Sequence, residues 1–418
     1  MRGLIYLLGV ALALGVGAAQ ATAPKPKPKT QVKRKTVQGP KANAHKKITD
    51  GVAEARLIEL YRLVGAAQTS EALRKAEKLV ADFPHFQLAQ MVYGDLLSAR
   101  YRPLVAVGDI PADLAASAPQ NAKALQAESA LRLAALTERP PQGVVPIQFV
   151  GLSAKNKHAI VVDTQRARLY LLENSSQGLR LLADYYISVG KAGVGKSVEG
   201  DQRTPLGVYF ITSNLDPTSL KDLYGSGALP VNYPNVLDLR RGKTGGGIWL
   251  HGTPSTQFTR APQATDGCVA VANPDLERII QTVEIRTTPV LISKSIQWVK
   301  PETLTSQRQQ LTQHLQSWAN SKSSGRSQEV LSYYAADFGT DGTGFPQFSD
   351  TLRSSLPRYQ GRAVDLQNVS IFRWTDETDI FIATFDEIIR GEKSGQTIRQ
   401  YWQRQSGRWK IIFESRMS

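Results

Sequence analysis

The sequence predicts a multidomain chain in which an α-helical region is followed by a mostly-β domain and then by an α+β domain. Three observations predict it. The chain has 418 residues, more than one domain usually holds. Apolar residues recur at helical spacing as far as Leu136, then fall in short strand-like runs, some continuous and some alternating, between Ala159 and Ser293. Beyond Leu304, helical patterns are followed by a run of strand patterns, the order of an α+β domain.

Residues 1–23 pair an N-terminal Arg2 with the apolar run Leu4 to Val16 and small residues near Ala19 to Ala23. That pattern predicts a secretory signal peptide, hence a periplasmic or cell-envelope location. Residues 24–47 form a basic Pro/Lys linker. Residues 1 to 50 carry ten Lys/Arg against one acid, a balance of +9 out of a total of +15. In an exported chain such a tether suits an anionic wall or membrane surface rather than nucleic acid, or serves as a solvated spacer.

From residue 48 to 138 the spacing predicts helices: Leu57, Leu60, Tyr61 and Val64, then Leu73, Ala76, Leu79 and Val80. Pro84 interrupts before Leu88, Met91, Val92 and Leu96 resume the period, so Ala72 to Leu97 reads as one tetratricopeptide-like helix-turn-helix. No second copy follows at a fixed period, which points to a helical bundle. Residues 150–295 then read as strands: Ala159–Asp163 and Arg168–Leu172 as a hairpin, a third through Tyr185, Ile187 and Val189, and more at Gly207–Thr212, Ile248–His251, Cys268–Val271 and Pro289–Ser293. One helix is expected over Asn273–Val283. In residues 304–418, Leu311, Leu315 and Trp318 mark a helix and Val330–Tyr334 a second. Strands are expected at Val369–Trp374, Ile380–Phe385, Thr397–Arg404 and Arg408–Glu414.

Cys268 is the chain's one cysteine. A lone thiol in an exported protein calls for a chemical reason. It follows Gly267 at the start of a strand, and His251 ends another strand beside Gly252. A thiol attacks a carbonyl as thiolate, and an imidazole can take its proton and return it to a leaving amine. Gly267 permits a tight turn through which N–H groups near Asp266 to Cys268 could face one oxyanion. One cysteine and scattered histidines provide no metal-ligand spacing, so neither metal nor cofactor is expected.

The pair His251-Gly252 and Thr265-Asp266-Gly267-Cys268-Val269-Ala270-Val271 resembles the signature of the L,D-transpeptidase catalytic domain, the YkuD family. The resemblance extends to Val189-Gly190-Lys191 and Gly200 to Tyr209, and covers about a third of the chain. It implies a YkuD-type β-sandwich, Cys268 as nucleophile, His251 as base, and the Gly252 backbone carbonyl as the group orienting the imidazole. Thr265 and Gly267 match motif positions. The family commonly has Arg two residues after the cysteine, where this chain has Ala270. Arg203, Lys191 or Arg240 are therefore candidates for substrate binding.

The implied substrate is the peptide stem of peptidoglycan, opened through a thioester on Cys268. The acceptor could be an amine (transpeptidase) or water (L,D-carboxypeptidase or amidohydrolase). A catalytically inactive wall-binding scaffold is the reading from another class. Trp318, Tyr333-Tyr334, Asp337-Phe338 and the ending Gly407 to Ile412 make the last domain resemble the NTF2-like (SnoaL-like) cone. Oligomeric state is left open by these residues.

Overall fold

The computed structural model describes residues 50–103, 106–109, 119–340, 343–375 and 379–417. The signal peptide expected at 1–23 and the basic linker at 24–47 lie outside the described residues. Among those described, no helix is long and apolar enough to cross a membrane.

Helices Val52–Gly65, Thr69–Asp82 and Gln87–Ser98 follow one another through short links, one of which contains Pro84. Their apolar stripes meet in one core: Leu57 and Leu60 from the first, Ala72, Ala76 and Leu79 from the second, Leu88, Val92 and Leu96 from the third. A fourth helix, Pro119–Thr137, adds Leu125 to it. The predicted helix-turn-helix is present, as part of a single small bundle.

An aromatic insert and a buried charge chain are among the contacts that fasten the bundle to the β domain. Phe258 inserts between the bundle's aromatics, its ring 5.3 Å from Phe83 and 4.8 Å from Phe86. Beside it runs a buried charge chain. Arg132 bonds Glu54 at 2.8 Å and Glu128 at 2.8 Å, and Arg168, on the first hairpin, bonds the same Glu54 at 2.7 Å. Burial alone would disfavour these charges, so their mutual pairing is what makes the contact tolerable.

The hairpin forms as expected, with His158–Asp163 against Arg168–Ser175. It lies within a five-stranded sheet ordered Gly178–Tyr186, Arg168–Ser175, His158–Asp163, Pro289–Ser293, Gly207–Phe210. Pro289–Ser293 runs parallel to His158–Asp163, so the chain returns to the sheet's interior after building the site. A three-stranded sheet faces it: Val269–Ala270, Trp249–His251, Ala228–Pro230. Ile160, Leu169, Leu171, Leu250, Val269 and Leu276 fill the space between.

The third strand departs from expectation. It spans Gly178–Tyr186, whereas Val189–Gly190 pairs separately with Gln263–Thr265. The apolar alternation through Tyr185, Ile187 and Val189 continues while the chain passes from one sheet to another, so periodicity alone joined the two.

In the C-terminal domain, helices Thr305–Ser323, Ser327–Leu331 and Phe345–Ser355 accompany a seven-stranded sheet. The helix expected over Val330–Tyr334 stops at Leu331. Tyr334 instead opens the strand Tyr334–Thr340, which runs parallel to the strand Arg408–Met417. The sheet also recruits Phe149–Gly151, expected to begin the catalytic domain, as an edge strand on Val364–Trp374. Phe149 packs edge-on to Phe372 there, centroids 5.4 Å apart.

The two large sheets share a core. Val161, Tyr170, Val208 and Phe210 of the catalytic sheet meet Phe372, Ile382, Tyr401 and Ile412 of the C-terminal one. The hairpin strands are thus covered on both faces, which explains their continuous rather than alternating apolar runs.

Candidate active site

His251 ends the strand Trp249–His251 and is 3% exposed. Its Nδ1 lies 2.6 Å from the Gly252 carbonyl oxygen. A carbonyl only accepts, so Nδ1 carries the proton and Nε2 keeps its lone pair, the tautomer a general base requires. Burial pushes the imidazole down to about 4, against the Gly252 carbonyl, and the nearby Arg260 cation pushes the same way as burial. The ring is neutral at pH 7.

The turn that carries this carbonyl is held through Thr253 by Asn273, at the start of the helix Asn273–Thr282. Asn273 Oδ1 accepts from the Ser226 and Thr253 N–H groups, both at 3.0 Å, and its Nδ2 donates to the Thr253 carbonyl at 2.9 Å. A Cβ at position 252 would come within 2.0 Å of that Oδ1. Glycine is needed there for close approach.

Cys268 precedes the strand Val269–Ala270, which pairs in parallel with the His251 strand, Ala270 opposite His251. The thiol is partly exposed and donates to the Gly247 carbonyl, 3.3 Å away. Burial raises it above the ordinary thiol value, and the Trp249 N–H lowers it. Gly267 has φ +124°, and a Cβ there would meet the Arg203 carbonyl oxygen at 2.7 Å. Thr265 threads the turn: its Oγ1 accepts from the Gly267 N–H at 3.2 Å and donates to the Cys268 carbonyl at 2.7 Å. The Gly267 N–H is thereby occupied within the turn.

Cys268 and His251 open on one cavity of about 440 Å³, together with Thr265, Asp266 and Lys191. Lys191 Nζ sits 3.0 Å from Asp266 Oδ1. Arg203 and Arg240 do not line this cavity. Arg203 is exposed and donates to the Val194 carbonyl at 3.0 Å. Arg240 donates to the Asp337 carbonyl at 2.7 Å, tying the catalytic domain to the C-terminal one.

Four features of the cavity escaped sequence reasoning. Tyr224 stands edge-on to the His251 ring at 5.2 Å. Arg260 projects from the loop that Phe258 anchors, with its Nε buried and unpartnered and one long bond to the Ala264 carbonyl at 3.4 Å. Among the described residues no carboxylate is in ion-pair distance of it. Gln87, Leu125 and Glu128 of the helical bundle form a wall, and Glu128 accepts from Thr259 Oγ1 at 2.9 Å. Asn273 acts from outside the cavity. None of these positions has a local motif; Tyr224, Arg260 and the bundle wall are set by loops and helices distant in sequence, and Asn273 heads a helix whose presence, but not whose contact, was legible.

Comparisons with known proteins agree with this layout. Residues 157–292 match the family model of the L,D-transpeptidase catalytic domain (YkuD), and residues 310–415 that of the Cds6 C-terminal NTF2-like domain. Among solved structures, the chain is similar to Bd1075 of Bdellovibrio bacteriovorus, at 24% identity and TM-score 0.55, over 65% of this chain and 98% of that one. It is also similar to the helical cell shape determining protein Pgp2 of Campylobacter jejuni, at 24% identity and TM-score 0.51, over 64% of this chain and 96% of that one. At that identity the likeness is one of fold. No curated protein matches the sequence. The chain therefore carries a YkuD L,D-transpeptidase catalytic domain at residues 157–292 and a Cds6-type NTF2-like domain at residues 310–415.

Proposed function

We propose that the protein cleaves the L-to-D peptide bond of peptidoglycan stem peptides through a thioester on Cys268. The observation that carries this reading is the His251 tautomer: Nδ1–H fixed on the Gly252 carbonyl, Nε2 without a partner among the described residues, in the same cavity as the chain's single thiol. Nε2 takes the thiol proton as Sγ bonds to the substrate carbonyl carbon. The same proton passes to the departing amine as the C–N bond breaks. An amine or water then attacks the thioester, giving its proton to Nε2, and the thiol is restored by proton return. Arg260, the cation in the cavity without a carboxylate partner, suits a substrate carboxylate. Lys191 also lines the cavity but is engaged with Asp266.

A hydrolytic outcome is the alternative in which water, rather than a second amine, takes the acyl group from Cys268. Exported location, suggested by the sequence, puts such an activity in the cell envelope.

Incubation of the purified protein with disaccharide-tetrapeptides, followed by mass analysis, tests the proposal. A disaccharide-tripeptide product means carboxypeptidase action, and a crosslinked dimer means transpeptidation. Unchanged substrate, together with no adduct on Cys268 from a carbapenem probe, would leave only the inactive scaffold.

A further inference from the structure

A second cavity, of about 180 Å³, lies between the catalytic and the NTF2-like domains, away from Cys268. Residues of both domains line it, including Lys155 and Ser153 from one and Thr384, Asp386, Ser370 and Arg399 from the other. Arg399 belongs to the strand Gln396–Gln405, whose Ile398 and Trp402 enter the NTF2-like core. Arg399 points to the opposite face, toward the catalytic domain. It is 6% exposed, with its guanidinium carbon 3.4 Å from the centroid of the Phe210 ring.

The polar groups around it are already committed to one another. Asp386 accepts from Lys155 Nζ at 2.8 Å, from Thr397 Oγ1 at 2.7 Å and from Asn368 Nδ2 at 2.6 Å. Ser370 Oγ donates to Asn156 Oδ1 at 2.5 Å and accepts from the Ser153 N–H at 3.0 Å. Arg399 is the exception. Its Nε donates to Thr384 Oγ1 at 2.9 Å, and among the described residues its two terminal nitrogens have no hydrogen-bond acceptor and no carboxylate in ion-pair distance. A guanidinium with four N–H donors left over is costly to bury, and stacking on a phenyl ring offsets only part of that cost. Burial accordingly pulls Arg399 down to about 10, the direction expected where no anion compensates. The two parallel N–H vectors of a guanidinium edge match a carboxylate or a phosphate.

We propose that this interdomain cavity binds a small oxyanion, carboxylate or phosphate, on the terminal nitrogens of Arg399. Because the cavity walls come from two domains, the bound anion clamps the NTF2-like domain onto the catalytic one. The inference is independent of the chemistry assigned to Cys268.

The test is thermal unfolding and titration calorimetry of the full chain with inorganic phosphate, acetate and chloride at matched ionic strength. The expected result is a saturating rise in Tm of a few degrees with phosphate or acetate, whichever source fits, and none with chloride. Arg399→Met should abolish the rise, and Arg399→Lys, which keeps the charge and loses the fork, should weaken binding by tenfold or more. Alkylation of Cys268 at the wild-type rate shows that each variant is folded. No saturating shift with either oxyanion in the wild-type protein overturns the proposal, whatever the variants do. So does an undiminished shift in folded Arg399→Lys and Arg399→Met.

Discussion

In the ligand-free protein the thiol and the imidazole should both be neutral. Burial holds His251 near 4 and raises Cys268 above its ordinary value of 9.0. Moving the proton from sulfur to Nε2 before substrate arrives is therefore uphill, by roughly 3 kcal/mol from the depressed imidazole alone. At pH 7 the thiol is then overwhelmingly protonated. The perturbation is pH, and then His251→Ala. The assay is the second-order rate of iodoacetamide alkylation at Cys268, read by mass from pH 5 to 10. The rate should climb about tenfold per pH unit through neutrality without a plateau, because only ionised sulfur reacts. In His251→Ala the labelling rate at pH 7 should change little, since a neutral ring lends no charge to the sulfur. Turnover should nonetheless fall about 10²- to 10⁴-fold, the usual contribution of a general base. A labelling plateau with its midpoint below pH 7, lost in His251→Ala, would mean a standing thiolate–imidazolium pair and refute this reasoning.

Other expectations follow from the same geometry. His251 is held neutral, so the folded state binds fewer protons than the unfolded one between about pH 4 and 6.5. Stability should be fully present above 6.5 and fall by roughly 3 kcal/mol as pH drops to 4, a loss missing from the pH–Tm curve of His251→Gln. Asp275 behaves oppositely. Burial raises it to about 7, with the Gly51 N–H at 2.8 Å working against the rise. Its contribution is present below 3.8 and lost as pH climbs through 7, so Asp275→Asn should stabilise the protein at pH 8, by roughly 2 kcal/mol after solvent screening of this half-buried group, and leave Tm unchanged at pH 3. Arg260→Gln should reduce kcat/KM on tetrapeptide substrates about 10- to 100-fold, mostly through KM, and spare iodoacetamide labelling. An effect on labelling as large as on turnover would count against Arg260 as a substrate contact.

How much of this could be read in the sequence depended on whether the information was local. The two strands that end in His251 and begin after Cys268 were visible because each carries its own apolar run and glycine. The helix Asn273–Thr282 was visible through Pro274 and the Leu276/Ile279 face. Elements that exchange partners were misread. Phe149–Gly151 sits next to catalytic residues in sequence and on the C-terminal sheet in space. Tyr334 fits a helical period with Val330, yet its burial and its place opposite Ile411 make it a strand. Arg260 had no signature at all, because its position depends on Phe258 being gripped by Phe83 and Phe86, more than 170 residues earlier.

That grip also makes the helical bundle part of the cavity's wall. The loop from Pro254 to Pro262 has few bonds of its own to a sheet; Thr253 Oγ1 donates to the Gln257 carbonyl at 2.9 Å, and Val189 N–H to the Pro262 carbonyl at 2.9 Å. Between those points Tyr186 Oη of the catalytic sheet donates to the Arg260 carbonyl at 2.9 Å and the Ser255 N–H to Asp222 at 3.1 Å, and the bundle holds the rest: the Phe258 N–H on the His85 carbonyl at 3.0 Å, its ring in the aromatic pair, and Thr259 on Glu128. Glu128 is in turn locked by Arg132, whose guanidinium lies 4.0 Å from the Tyr186 ring of the catalytic sheet. Phe258→Ala would remove the insert and leave Cys268 and His251 in place. It should cost about 2 kcal/mol or more in stability, less than a fully buried Phe because this ring is half-buried. Its sharper effect should be on substrate binding, as Arg260 loses its fixed position. Circular dichroism melts and steady-state kinetics on the same preparation separate the two. A variant that melts earlier but keeps wild-type KM would show that the bundle stabilises the catalytic domain without shaping its cavity.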